Sequence, residues 1–382
     1  MKIGIVGLGG IFEVAYLPAF EAFQNLSLEE HKFLGKHELP EKPIELFGYA
    51  PQVSEKIKNV KDLNLLPTYQ DLLQIDLDIL LILTPPETHY DLLVEALNSS
   101  ARMIVIEKPV VADLAQLAQL KALLTDSNYA DRVLALDHWT GRNGVQSLLM
   151  GKLDNTWQPL SDNAKQNIIP QIEPIQPQDI LQIDGLLLEP CGYNEKGEAI
   201  ALNFATGLED TRQFFHPDGV ILDIGTHVLT MMRDCLSCFQ SESRLSLQVE
   251  QAKSRLGQPI EIGDITTAEG EAKLVGHCGN VPISLHLNKY AGLEGGQKGM
   301  NVKLSHDRKV WLDRLGSDEI LGYEQDGQVW QWIRYGALYQ HTIFNLLQGY
   351  PFSTEQLKAM TSRRIEEVEC LLNLNQQLRG KH

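Results

Sequence analysis

The residues best suited to chemistry are a lysine, an aspartate and a histidine in two short motifs. Lys108 lies in a Glu-Lys-Pro tripeptide, and Asp223 and His227 are the ends of the pentapeptide Asp-Ile-Gly-Thr-His. A lysine amine, a carboxylate and an imidazole are groups that can take a proton from an alcohol, and the lysine ammonium can donate a hydrogen bond to its oxygen. The sequence therefore predicts acid–base chemistry on a hydroxyl or carbonyl group, with these three residues as the catalytic candidates.

The segment around Asp223 and His227 has a helical pattern of apolar residues between positions 222 and 239. The side chains that form its apolar face are Val228, Leu229, Met232, Leu236 and Phe239. Asp223, His227 and Thr230 share another face, at i, i+4 and i+7 spacing. This spacing lets the carboxylate orient the imidazole or share a substrate hydroxyl with it. The alternative is a capping aspartate followed by a solvated histidine.

The chain opens with a strand, a glycine turn and a helix. The strand is Lys2 to Val6, and the helix runs through Pro18 to Phe23. Glycines at positions 7 and 9 allow a tight turn and a close approach to a pyrophosphate, and the helix N-terminus offers free N–H groups. A complete Gly-x-Gly-x-x-Gly pattern would have a third glycine where this chain has Phe12. We therefore expect the helix to approach the strand differently here, and a plain turn is the alternative to a dinucleotide site.

The end of the second strand bears on the choice of dinucleotide. This strand is predicted at Ile44 to Tyr49, and an acid after it would accept hydrogen bonds from the adenosine ribose. The chain has Ala50 there, so the usual argument for NAD is missing. Ser54, Lys56 and Lys58 could meet a 2′-phosphate, although a solvated helix face is the more common role of such lysines. The sequence therefore favours NADP as the cofactor, with NAD as the alternative.

Buried strands alternate with helices along the N-terminal part of the chain. Asp78 to Leu83 and Met103 to Ile106 are nearly continuous apolar runs, and an amphipathic helix from Tyr90 to Leu97 separates them. The alternation predicts an α/β fold with a doubly wound parallel sheet of the Rossmann type, whose ligands bind at the carboxyl ends of the strands. Lys108 follows such a strand end, where a surface turn is the alternative. The predicted cofactor-binding residues are Gly7, Gly9, Gly10, Ile11, Phe12, Ala50, Thr84, Pro85, His89 and Glu107.

Beyond Arg142 the pattern changes to longer, alternating strands. The candidate strands cover positions 180–189, 245–252, 265–275, 282–290, 302–304, 309–312 and 319–323. They predict a second α/β domain with an antiparallel sheet, so that the domains are residues 1–137 and 138–382. We expect a polar loop at 156–178, either a lid or a plain connection, and a last helix from Thr354 to Leu378.

Four of these motifs occur in the same order as in a known family. They are the glycine turn at 7–11, Thr-Pro-Pro at 84–86 with His89, Glu-Lys-Pro at 107–109 and Asp-x-Gly-x-His at 223–227. Together they resemble the glucose-fructose oxidoreductase/inositol dehydrogenase/rhizopine catabolism (Gfo/Idh/MocA) family. The resemblance implies a Rossmann domain, a C-terminal domain with a large open sheet, a nicotinamide cofactor, a sugar or cyclitol substrate and a homodimer or homotetramer. It also implies that Lys108, Asp223 and His227 are catalytic, while Thr230 stands where the family often has an acid.

A second resemblance lies at the domain junction, in the segment Asp-His-Trp-Thr-Gly-Arg at 137–142. It is similar to the Asp-His-Tyr-x-Gly-Lys signature with which glucose-6-phosphate dehydrogenases hold the sugar phosphate. An arginine in the lysine's place can grip a phosphate with two hydrogen bonds. The substrate-binding residues that this resemblance implies are Asp137, His138 and Arg142, and the first resemblance adds Thr230. We expect an anionic sugar derivative as substrate. The alternative is that Arg142 pairs with a neighbouring acid and braces the junction, which favours a neutral sugar or cyclitol.

Composition limits the classes of partner. A formal charge of −17 with scattered Lys and Arg argues against nucleic acid, which requires a basic face. No run approaches eighteen apolar residues, and no signal-peptide pattern precedes the strand at Lys2. Five cysteines are an odd number for a disulfide framework. We therefore expect a cytoplasmic protein without a membrane or nucleic-acid partner.

The residues together predict an NAD(P)-dependent dehydrogenase or reductase. In this scheme His227 removes the hydroxyl proton, Asp223 orients the imidazole and Lys108 hydrogen-bonds to the same oxygen. Either Lys108 or His227 could be the base, and no metal is required. The alternative functions are a nucleotide-sensing regulator, which the departures at positions 12, 50 and 230 favour, and a structural assembly protein.

Overall fold

The computed structural model describes residues 1–25, 44–166, 175–202, 207–209, 219–239 and 244–380. Two compact units form within it, one from Met1–His138 and Tyr339–Glu369 and the other from Trp139–Leu338 and Cys370–His382. The first stretch of the first unit ends at His138, and the predicted domains 1–137 and 138–382 stay a prediction. Residues 339–369, however, join the N-terminal unit and not the C-terminal domain in which we placed them.

The first unit contains a six-stranded parallel sheet in the order β3-β2-β1-β4-β5-β6. Its strands are β1 Lys2–Val6, β2 Glu45–Tyr49, β3 Leu63–Leu65, β4 Ile79–Ile82, β5 Met103–Glu107 and β6 Val133–Leu136. Its first helices are α1 Leu17–Gln24, α2 Glu55–Lys58, α3 Tyr69–Leu73, α4 His89–Leu97, α5 Leu114–Leu123 and α6 Ser127–Ala130. All residues of β4, β5 and β6 are buried, as expected for strands covered on both faces. The predicted Rossmann sheet is confirmed.

The second unit is built on a nine-stranded sheet in the order β11-β12-β13-β8-β14-β15-β16-β17-β7. The strands of this unit are β7 Trp157–Pro159, β8 Ile180–Leu188, β9 Cys191–Tyr193, β10 Ala199–Ala201, β11 Leu245–Lys253, β12 Glu271–Cys278, β13 Val281–Asn288, β14 Lys298–Leu304, β15 Lys309–Leu315, β16 Asp318–Gln325 and β17 Gln328–Arg334. The pairs in the large sheet are antiparallel except for β8 with β13, so the sheet is mainly antiparallel, as expected, with one parallel pair.

Two differences from the predicted strands have simple causes. The strand expected to begin at Ile265 begins at Glu271, because Asp264 binds the N–H groups of Thr266 and Thr267 in a turn. The loop expected at 156–178 contains β7 at the sheet edge; positions 167–174 of it lie outside the described residues.

The helices of the second unit are α7 Gly144–Leu149, α8 Asp162–Lys165, α9 Val220–Asp223 and α10 Gly225–Leu236. Helix α10 packs on the large sheet at Gly185 of β8. A Cβ there would lie 2.3 Å from Val228 and 2.4 Å from the sulfur of Met232, so only glycine permits this close packing. Every described side chain of α10 except Asp234 is buried.

Two further helices, α11 Leu338–Gly349 and α12 Thr354–Leu378, follow β17. The bounds of α12 agree with the prediction, whereas α11 was missed. Within the first unit, Thr361 accepts a hydrogen bond from Ala135 N at 3.1 Å and donates one to Val133 O at 2.8 Å. These bonds cover the free edge of β6. Among the helices of the described residues, none combines the length and apolar character that crossing a membrane requires.

Candidate functional site

The glycine turn after β1 has the conformation that a dinucleotide requires. Gly7 has φ of +97°, and a Cβ on it would lie 2.8 Å from the backbone of Leu83, so this position must be glycine. Gly9 is exposed, and nothing lies within 4 Å of the position its Cβ would take. The backbone is therefore open to a pyrophosphate at this point. The turn fits the predicted cofactor.

Phe12, in place of the third glycine, begins a π-helical turn that continues to Tyr16. Its side chain is fully buried in the apolar core of the first unit. The wide turn agrees with the expectation that the helix approaches the strand differently here. Because Phe12 faces the core, its contribution to a cofactor site is to place Gly9, Gly10 and Ile11.

The predicted ligands of a 2′-phosphate contact a carboxylate. Ser54 donates a hydrogen bond to Glu13 at 3.1 Å, and the Lys56 ammonium lies 3.1 Å from the other Glu13 oxygen. Lys58 pairs with Glu55 at 2.6 Å. A 2′-phosphate would therefore meet Ser54 and Lys56 only in competition with the charge of Glu13.

We expect Glu13→Gln to raise the affinity for NADP relative to NAD. Removing one carboxylate near a phosphate is worth about 1 kcal/mol in solvent, or about fivefold in the ratio of Kd values. Calorimetric titration with both dinucleotides measures this ratio. Glu95→Gln, an exposed change in the same unit, is the control. An unchanged ratio in Glu13→Gln would show that Ser54 and Lys56 do not meet the cofactor.

His89 ties together the segments that follow β4 and β5. The ring is fully buried, with Nε2 2.7 Å from the carbonyl oxygen of Thr84 and Nδ1 3.0 Å from that of Pro109. Burial lowers the pKa of His89, while the two carbonyl contacts oppose that shift. Packing of His89 beside a cofactor stays a prediction. Lys108 precedes Pro109, so the contact also fixes the segment that carries the lysine.

Lys108 follows β5 directly, at the sheet edge where the glycine turn follows β1 and Thr84 follows β4. Its side chain is half-buried. Carboxyl ends of parallel strands meet at one edge, which is where ligands of doubly wound sheets bind. The structure thus places Lys108 and the predicted pyrophosphate turn at the same edge of one sheet.

A buried polar cluster lies next to Lys108 in the same unit. Its members Glu107 and His138 approach within 3.7 Å, and the imidazole stacks on Tyr339 with ring centroids 4.1 Å apart. Asp137 lies 4.0 Å from the same nitrogen. Burial, reinforced by the charge of Glu107, raises the pKa of Tyr339. Asp137 and His138, predicted to bind substrate, are therefore buried, and a polar network within this unit accounts for their position.

The predicted single helix from 222 to 239 is wrong. Ile224 has φ of −114° and separates α9, which ends at Asp223, from α10, which begins at Gly225 and ends at Leu236. The i, i+4 relation between Asp223 and His227 is therefore not that of one continuous helix. Thr230 is fully buried, so the predicted polar face of the helix packs within the unit.

Asp223 and His227 each have a partner that sequence reasoning missed. Asp223 accepts a hydrogen bond from the ammonium of Lys289, a buried residue directly after β13. His227 is buried and lies parallel to the indole of Trp139, with ring centroids 5.7 Å apart and an interplanar angle of 13°. In the sequence, Lys289 is recognisable only as a lysine near the end of a strand. A lysine in a surface turn would have the same sequence pattern.

Arg142 is held inside the second unit. Its Nε lies 3.0 Å from one oxygen of Glu319, and Arg334 binds the other carboxylate oxygen. The guanidinium carbon lies 4.5 Å from the centroid of Trp139. Burial lowers the pKa of Arg142 to about 10, so the group stays charged near neutral pH. At Nε this arrangement matches the alternative in which Arg142 pairs with an acid. Among the described residues Nη1 and Nη2 are buried without a hydrogen bond, so an anion site at Arg142 stays a prediction.

We expect Arg142→Ala to impair phosphorylated and neutral substrates by the same factor. The change removes one of the two arginines that hold the buried Glu319, so the Tm also falls. Specificity constants on matched phosphorylated and free sugars, with a melting curve, provide the measurement. A loss confined to the phosphorylated substrate would instead support the hypothesis that Arg142 binds the substrate phosphate.

The N-terminal part of the chain matches a family model. Residues 1–132 match the GFO_IDH_MocA model, described as an oxidoreductase family with an NAD-binding Rossmann fold. The match covers 132 of the 382 residues. The resemblance seen in the N-terminal motifs is thereby confirmed. No curated protein matches the sequence.

Solved structures of three proteins are similar in fold to this chain. A 3-ketoreductase from Actinomadura kijaniata, in complex with TDP-benzene and NADP, has a TM-score of 0.61 and 12% identity, covering 99% of this chain and 97% of that one. A proposed oxidoreductase from Klebsiella pneumoniae has a TM-score of 0.58 and 16% identity, covering 100% and 93%. One from Yersinia pestis has a TM-score of 0.58 and 15% identity, covering 100% and 95%. At these identities the similarity establishes the fold.

Proposed function

We propose that the protein is an NAD(P)-dependent oxidoreductase that interconverts a hydroxyl and a carbonyl group on a sugar or cyclitol. The observation that carries this proposal is the position of Lys108 at the sheet edge that also bears the open glycine turn. A lysine there can hydrogen-bond to the reacting oxygen of a substrate beside a dinucleotide. The family match of residues 1–132 supports it.

The residues around the glycine turn fit a dinucleotide. Gly7, Gly9, Gly10 and Ile11 would hold the pyrophosphate, and Thr84, Pro85 and Glu107 lie at the ends of neighbouring strands. When bound, the nicotinamide accepts or returns the hydride of the reacting carbon. Either NAD or NADP is compatible with the turn. We propose NADP as the preferred cofactor, because Ala50 stands where an acid would bind the ribose and Ser54 and Lys56 are nearby.

Three side chains carry the proposed acid–base chemistry. We assign the hydrogen bond to the reacting oxygen to Lys108 and removal of the hydroxyl proton to His227. Asp223, which Lys289 holds by an ion pair, supplies a fixed carboxylate next to the start of α10. Because Lys289 already binds this carboxylate, we assign Asp223 to orienting other groups and not to taking the proton. A base role for Lys108 remains the alternative to His227.

The substrate class follows from the charges near the site. We propose a neutral sugar or cyclitol in preference to a phosphorylated one, because Arg142 is paired with Glu319. The 3-ketoreductase of similar fold was crystallised with TDP-benzene, so keto sugars linked to a nucleotide belong in the same screen.

The experiment that tests the proposal has two stages. Thermal shift with NAD and NADP measures binding, since a ligand that binds only the folded protein raises the Tm. Absorbance of the reduced cofactor then reports turnover with free sugars, cyclitols, phosphorylated sugars and nucleotide-linked keto sugars. We expect binding of a dinucleotide and turnover of at least one neutral compound. Absence of binding by both dinucleotides would contradict the proposed function.

A further inference from the structure

Trp139 lies between two functional side chains of the second unit. The guanidinium carbon of Arg142 lies over the indole of Trp139, 4.5 Å from the ring centroid. The imidazole of His227 is nearly parallel to the same indole, with ring centroids 5.7 Å apart. All three side chains are buried, with exposed fractions of 4% for Trp139, 1% for Arg142 and 7% for His227. Their mutual orientation is therefore set by packing and not by solvent.

The indole itself cannot move freely. Arg142 is fixed by Glu319, and Glu319 is fixed by Arg334, whose Nη1 donates to Asn143 at 2.9 Å. Trp139 thus rests against a cation that is anchored on the large sheet. Planar stacking and a cation–π contact each favour one orientation of the ring.

The χ2 torsion of His227, in contrast, is only weakly restricted by the side chain itself. Rotation about χ2 of a histidine is broad and roughly two-fold, so its own rotamer preferences do not fix the plane of the imidazole ring. A parallel indole face restricts that rotation, because turning the imidazole out of plane would drive its edge into the ring. A base must present one nitrogen to the substrate hydroxyl in a fixed direction.

We propose that Trp139 is a positioning residue for the reaction, holding the imidazole plane of His227 so that one ring nitrogen is presented to the substrate hydroxyl. This inference rests on the proposed function. Trp139 acts through His227 and does not itself contact the reacting atoms.

The test compares Trp139→Leu with a matched control. Trp157 is a second buried tryptophan of the same unit, with Arg334 at 4.7 Å from its centroid, and its cation contact is of the same kind. We expect Trp139→Leu to lower kcat by about 100-fold with little change in KM, because a small misplacement of a catalytic group has an effect of that order. Trp139→Phe, which keeps an aromatic face, restores most of the activity. Trp157→Leu lowers the Tm but keeps kcat.

Two further measurements separate positioning from a loss of folding. In a His227→Ala background, Trp139→Leu should lower kcat no further, since residues that act as one unit are not additive. The imidazole resonances of His227, followed by NMR against pH without substrate, should be displaced in Trp139→Leu and unchanged in Trp157→Leu.

The outcomes distinguish this proposal from the proposed function. Equal losses of kcat in Trp139→Leu and Trp157→Leu, full additivity with His227→Ala, or an unchanged His227 titration would overturn the positioning role. Failure of the wild type to turn over any compound of the sugar screen would contradict the proposed function instead. The NMR measurement would still decide whether Trp139 orients the imidazole of His227.

Discussion

Replacing Lys108 with alanine is expected to lower kcat by about 10²- to 10⁴-fold, the range typical for a positioned acid–base group. The Kd of the dinucleotide should change by no more than about twofold, because the ammonium is assigned to the reacting oxygen and not to the cofactor. His227→Ala is expected to behave in the same way. Steady-state kinetics and calorimetric titration of the same preparations measure both quantities.

A matched lysine makes this result interpretable. Lys121 belongs to the same unit as Lys108 and forms a partly exposed ion pair with Glu369 at 2.6 Å. Lys121→Ala should keep kcat and Kd near the wild-type values, since such pairs contribute little. If Lys108→Ala abolished cofactor binding while kcat with saturating cofactor survived, the lysine would belong to the cofactor pocket and the mechanism would be wrong.

The features that the sequence predicted well depend on neighbours in the chain. The bounds of β1 and α12 agree with the prediction. Strand β4 differs by one residue at each end and β5 by one residue at its C-terminal end, because a buried parallel strand is a continuous apolar run. The glycine turn was predicted for the same reason. Its φ of +97° at Gly7 is a local requirement that only glycine meets easily.

The features that the sequence could not supply depend on residues far apart in the chain. The partner of Arg142 is 177 positions away, at Glu319, so a cation at the domain junction could not be assigned between an anion site and an internal pair. Asp223 and Lys289 are separated by 66 positions. Strand β17 was missed because its alternation of glutamine with valine and tryptophan is short, and its burial depends on β16 and β7.

The interruption at Ile224 shows how tertiary contacts override helical periodicity. The N-terminus of α9 rests on Glu269, which accepts a hydrogen bond from Ile221 N at 3.2 Å. A Cβ at Gly219 would lie 2.2 Å from the Glu269 carboxyl group, so glycine makes room for that contact. The carboxylate thus fixes the short helix that ends at Asp223, and the orientation of the candidate catalytic residue depends on it.

This dependence leads to the largest expected effect on stability. Glu269 is buried and pairs with Arg379 at 2.6 Å, with both side chains fully enclosed. Arg379 also donates to the carbonyl oxygens of Asp264 and Thr267 at 2.8 and 2.6 Å. Arg379→Ala leaves a buried carboxylate without its cation, which costs about 3–5 kcal/mol, or roughly 6–20 °C in Tm for a unit of this size.

The pH dependence of the Arg379→Ala defect tests its cause. Burial raises the pKa of Glu269, and Arg379 opposes that shift, so its removal raises the pKa further. A carboxyl group whose pKa is higher in the folded than in the unfolded protein destabilises the fold increasingly as the pH rises above its unfolded value. The Tm defect of Arg379→Ala should therefore be smaller near about pH 5 than near about pH 8.

Lys165→Ala, which removes an exposed pair with Asp162 in the same unit, should shift the Tm by no more than about 1–2 °C at either pH. Calorimetric melting of both variants decides the matter: a defect in Arg379→Ala as small as that of Lys165→Ala would mean that Glu269 is solvated and does not hold the helix that ends at Asp223.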